Sequence, residues 1–143
     1  MDSLKIQYAI ALALGPIFGI VFGWFIPTRE IDFMWFMDEP TTFFMVIVFY
    51  PVVEELAFRG VIQEFFTQKT NVTSKIPFVS FANLMTSLLF VVFHLFHHPL
   101  IWALSVFFPS LLFGYFKEKF GHILPSIVLH IVYNLTYFLM IGK

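Results

Sequence analysis

The chain contains no cysteine. Disulfides, thiolate catalysis and cysteine-ligated zinc or iron–sulfur centres are therefore excluded, and redox compartment leaves no mark. Charge is scarce too. Only 12% of the 143 residues are Asp, Glu, Lys or Arg, against about 25% in an ordinary soluble domain. The net charge of −1 gives no reason to expect a nucleic-acid partner. Internal repeats and low-complexity tracts are also absent.

Apolar surface takes the place of charge. Hydrophobic residues make up 59% of the chain, 22 of them phenylalanine, and mean hydropathy is +0.88. Such a composition belongs to an all-α integral membrane protein, with the lipid bilayer as its solvent. The length suits one domain, residues 1–143. A bacterial or archaeal inner membrane is the expected location.

Five apolar segments are expected as a bundle of transmembrane helices, at roughly 6–26, 41–66, 76–97, 99–116 and 122–141. The first is about 20 residues long, enough to span as a helix and longer than the 7–15 apolar residues usual in a cleaved signal peptide. Pro109 should kink the fourth. The stretch 28–40 is amphipathic through Ile31, Phe33, Met34, Trp35, Phe36 and Met37 and is expected to lie in the interface. Residues 67–75 form a polar linker.

With five spans, Lys5, Lys69, Lys75, Lys117 and Lys119 fall on one side, while Arg29 and Lys143 fall on the other. The positive-inside rule then puts the N-terminus in the cytoplasm. Gly15, Gly19 and Gly23, spaced by four, make a ridge for close helix approach, either within the chain or in an oligomer.

Three polar motifs interrupt the apolar segments: Glu54-Glu55-Leu56-Ala57-Phe58-Arg59, Phe90-Val91-Val92-Phe93-His94 and His130-Ile131-Val132-Tyr133-Asn134. Ionisable groups at membrane depth are costly and usually mark function. Glu55 and Arg59, four apart, share a helix face and can pair. Glu54 then faces elsewhere, placed to act on water as a general base. His130 and Asn134 share a face and offer the donors that a developing oxyanion needs.

Each motif also has a plainer reading. The Glu-Glu-Arg set can be a structural ion-pair cluster, and the His–Asn pair an interhelical hydrogen bond. His94 and His98 stand four apart, so a zinc site completed by His130 is conceivable, but the pattern H-E-x-x-H is missing. His97 and His98 precede Pro99 at an expected turn. Ser80, Ser87, Ser105, Ser110 and Ser126 carry no nucleophile-elbow pattern.

Taken together, E-E-x-x-x-R, F-x-x-x-H and H-x-x-x-N, in this order and each in an apolar segment, resemble the CPBP family of CAAX prenyl endopeptidases and bacteriocin-processing or self-immunity (Abi) membrane proteins. The likeness runs from about Pro51 to Asn134. It implies a glutamate-dependent intramembrane endopeptidase that needs no metal or other cofactor and acts on a membrane-anchored protein or peptide. Carried over, Glu54 is the general base, His94 positions and activates water, His130 and Asn134 form the oxyanion hole, and Glu55 and Arg59 support the site. The chain departs from larger members in its five apparent spans and reads as a minimal catalytic core. An immunity or scaffold protein that uses the same cavity for binding is the alternative.

Overall fold

The computed structural model describes residues 3–25, 34–69 and 79–141. Every regular element among them is helical: α1 (Ser3–Phe25), α2 (Trp35–Asp38), α3 (Pro40–Lys69), α4 (Phe81–Leu95), α5 (Leu100–Ser105), α6 (Phe107–Phe120) and α7 (Leu124–Ile141). All five expected apolar segments are thus helical in their described parts. Among the described residues, the runs Pro40–Lys69 and Leu100–Phe120 are long and apolar enough to cross a membrane, and Phe81–Leu95 is a shorter apolar helix. The described helices thus fit an all-helical membrane protein but do not bear out the count of five full spans. α4 shows why: its 15 residues rise about 22 Å, short of the roughly 30 Å hydrocarbon core.

Local chemistry sets the helix ends. Ser80 caps α4 by accepting the backbone N–H of Asn83 at 2.9 Å. Pro99 opens α5, and α6 stops where Gly121 turns left-handed at φ 76° and returns its N–H to Lys117 O. The kink expected at Pro109 lies at Val106, between α5 and α6. A proline ring crowds the carbonyl four residues earlier, here that of Ser105, the last residue of α5. Of the stretch 28–40, part lies outside the described residues. Trp35–Asp38 within it forms one helical turn.

α3 contains two π-helical stretches, Met45–Phe49 and Leu56–Ile62. Pro51 accounts for the first. It supplies no N–H and its ring would strike the carbonyl of Ile47, so the turn before it widens. Tyr50–Glu55 is ordinary α-helix between the two. Wide turns of this kind are frequent at functional sites, and Glu54 and Glu55 sit between two of them.

The chain divides into two compact units, residues 1–53 with 127–143, and residues 54–126. In the first, the ring of Tyr133 covers Gly15 so closely that a Cβ there would collide with it. Tyr133 also donates to Ala11 O at 2.8 Å. Part of the glycine ridge thus has its partner inside the chain; Gly19 and Gly23 lie outside the residues whose surroundings are described. Trp35 donates its indole N–H to Phe138 O and packs edge-on against Phe43.

In the second unit, α4 packs on α6 and on the later part of α3. Asn83 donates to Leu111 O and accepts from Ser87, and Gly114 leaves it room, since a Cβ at 114 would overlap the carboxamide. Phe58 meets Phe90 edge to face, with centroids 4.9 Å apart.

Candidate active site

Glu55, Arg59 and Gln63 follow one another at intervals of four along α3, and all three are fully buried. Arg59 Nε lies 3.3 Å from Glu55 Oε2. The same guanidinium donates through Nη2 to both Ser110 O, at 3.1 Å, and Ser110 Oγ, at 2.9 Å. Its Cζ stands 5.4 Å from the centre of the Phe90 ring. Arg59 therefore joins α3 to α6 and rests on α4. Glu54 is half-buried, and its charge also acts on Arg59.

Gln63 extends the column. Its amide donates to Gly114 O and to Glu118 Oε1, which also accepts from Ser80. α3 and α4 run antiparallel, since Phe58 meets Phe90 while Gln63 and Ser80 share Glu118. One turn beyond the Phe58–Phe90 contact, Glu54 on α3 and His94 on α4 come at the same end of the helix pair.

His94 is buried, and its Nδ1 lies 2.8 Å from Phe90 O. A carbonyl can only accept, so Nδ1 carries a hydrogen and donates it to Phe90 O. Phe90 flanks the ring at 4.3 Å and Trp102 at 5.7 Å. His98 stacks on Trp102 at 3.8 Å and is stacked with His94 at 22°. Near-parallel stacked imidazoles do not converge their nitrogens on one point, so this pair is poorly shaped for a metal. Among the described residues no three His, Asp or Glu side chains cluster as metal ligands.

His130 and Asn134 lie one turn apart on α7, in the first unit. His130 is buried and Asn134 partly buried. Asn134 donates through Nδ2 to Val46 O at 2.9 Å. Val46 belongs to the π-helical stretch before Pro51, where the hydrogen-bond ladder is re-registered and a carbonyl can accept from a side chain. One of the amide's two N–H groups is thereby engaged.

The profile described as Type II CAAX prenyl endopeptidase Rce1-like matches residues 36–136. The chain belongs to this family. The match covers most of the chain and contains all three polar motifs. This Rce1-like chain is accordingly a membrane protein of a protease family. No curated protein and no solved structure matches it.

Four residues of the cluster were not singled out from the sequence. Ser110, noted there only as lacking a nucleophile-elbow pattern, anchors Arg59. Gln63 continues the Glu55–Arg59 stripe, and its spacing of four from Arg59 was a legible signal. Glu118 and Trp102 owe their roles to tertiary contacts, which no local pattern announces.

Proposed function

We propose that this Rce1-like protein is a glutamate-dependent intramembrane endopeptidase that hydrolyses a peptide bond in a membrane-anchored protein or peptide. The observation that carries the reading is the division of labour on α3. Glu55 is committed to a buried ion pair, while Glu54, next in the chain, is half-buried and turned to another face. Neutralising Arg59 with Glu55 lets Glu54 serve as the base that takes a proton from water.

His94 assists. With Nδ1 held by Phe90 O, its ring is fixed in orientation and takes the role of positioning and activating the same water. The attacking oxygen bonds to the scissile carbonyl carbon, and the proton held by Glu54 passes to the leaving amine. His130 and Asn134 take the oxyanion role, with Asn134 using the N–H that Val46 does not engage. No step requires a metal. The chain is read as one peptidase domain with five membrane-embedded helical segments, the N-terminus in the cytoplasm of a prokaryotic cell.

The test is cleavage of membrane-anchored peptides by purified protein. Glu54→Gln, His94→Ala and His130→Ala should each abolish turnover while leaving the helical fold intact by circular dichroism. A Glu54→Gln protein that still cleaves would remove glutamate from the mechanism.

A further inference from the structure

A cavity of about 630 Å³ opens within the second unit, walled by Arg59, Gly60, Glu64, Ser80, Ala82 and Lys117, among others. Both full-length apolar runs, Pro40–Lys69 and Leu100–Phe120, end on its side. Its outer wall is polar. Lys117 pairs with Glu64 at 2.7 Å, and Glu118 accepts from Ser80 and Gln63. These groups belong at a membrane–water boundary, and the deep end reaches Arg59, the partner of Glu55.

Arg59 on the cavity wall, with Gln63 and Thr86 each one helical turn from a wall residue, carry three buried atoms with no hydrogen-bond partner among the described residues: Arg59 Nη1, Gln63 Oε1 and Thr86 Oγ1. They are a donor, an acceptor and a hydroxyl. Gln63 follows Arg59 by one turn of α3, and Thr86 follows Ala82 by one turn of α4. Buried polar groups that lack a protein partner are normally served by water, which bonds two to four of them at once. Gly60 adds a further sign. A Cβ there would meet only Glu55 O, at 4.0 Å, so packing does not demand glycine at this position, and what its absent side chain leaves open is space beside the cavity.

We propose that this cavity is the aqueous inlet of the enzyme, bringing water from the Lys117–Glu118 end to the Glu54–Arg59 end. The proposal rests on the hydrolytic reading above and gives that site its supply of co-substrate. Hydrolysis consumes one water per bond cut, and a base embedded among apolar helices cannot draw it from lipid.

The absence of native cysteine makes the test clean. Ala82→Cys places one thiol on the cavity wall, and Leu89→Cys places one on an exposed position of the same helix. In lipid nanodiscs a charged thiosulfonate reagent should modify the cavity thiol at least about tenfold faster, because only a hydrated thiol ionises readily. Thr67→Cys, also on the wall, should react likewise and covers the case in which Ala82→Cys does not fold. Equal, slow labelling of the wall and Leu89 positions would overturn the proposal. This readout needs no turnover, so it stands apart from the outcome of the cleavage assay.

Gly60→Leu then fills the inlet. It should lower kcat by roughly tenfold or more with KM unchanged, while Gly60→Ala stays near wild type. A raised KM at constant kcat would make the cavity a substrate site and overturn its assignment to water, as would wild-type kinetics in Gly60→Leu.

Discussion

Glu55 and Arg59, one helical turn apart and both wholly buried, form an ion pair with Nε and Oε2 3.3 Å apart. Breaking such a pair from one side strands a charge and costs about 3–5 kcal/mol, whereas replacing both partners by apolar groups is often close to neutral. Arg59→Met and Glu55→Leu should therefore each destabilise the folded protein strongly. The double variant should lose far less than the sum. Reversible denaturant titration in detergent measures this coupling, and strict additivity would contradict it.

Close packing of Gly15 on Tyr133 gives a second expectation. Gly15→Leu drives a side chain into the ring and should cost about 1–3 kcal/mol, the usual range for overpacking. Tyr133→Ala in the same chain should recover part of it, although it also gives up the hydrogen bond to Ala11 O. Thermal unfolding of the single and double variants reads both effects.

Asn134 is expected to serve twice. Asn134→Leu leaves the Val46 carbonyl without its donor, which should cost about 1–3 kcal/mol of stability. It should also reduce kcat about 10²–10³-fold if the second N–H faces the oxyanion. A variant that loses stability and keeps its kcat would confine Asn134 to structure.

The turn between α4 and α5 should show a pH signature. Partial desolvation beside Trp102, and then the neighbouring His97 charge, hold the largely exposed His98 imidazole below its ordinary value. The folded state thus disfavours protonation. The stability contributed by neutral His98 is present above about pH 6.5, the usual histidine value, and is lost as pH falls through the lower folded value. His98→Gln should flatten the acid limb of the stability profile. An NMR titration that places His98 at or above the ordinary value would contradict this.

How far the sequence could be read follows from which interactions are local. The helical character of all five apolar segments, the shared face of Glu55 and Arg59, and the turn at Pro99 depend on spacing within a few residues, and the family resemblance rests on three such spacings. Span count was harder. The apolar stretch 76–97 exceeds the 15-residue helix Phe81–Leu95 because hydropathy reports composition, whereas helix ends are set by caps such as Ser80. The π-helical stretches flanking Glu54 and Glu55 had one visible cause, Pro51, whose effect on the preceding turn is not fixed by sequence alone. The Ser110 anchor and the Glu118 junction join residues 51 and 55 or 38 positions apart, and no periodicity encodes such contacts.

The most direct test of the central claim compares wild-type and Glu54→Gln protein, purified in detergent, on membrane-anchored peptides in the presence of chelator. Cleavage by the wild type alone, undiminished by chelator, is the predicted result. Cleavage by Glu54→Gln, or cleavage abolished by chelator and restored by zinc, would contradict a glutamate-driven, metal-independent hydrolysis.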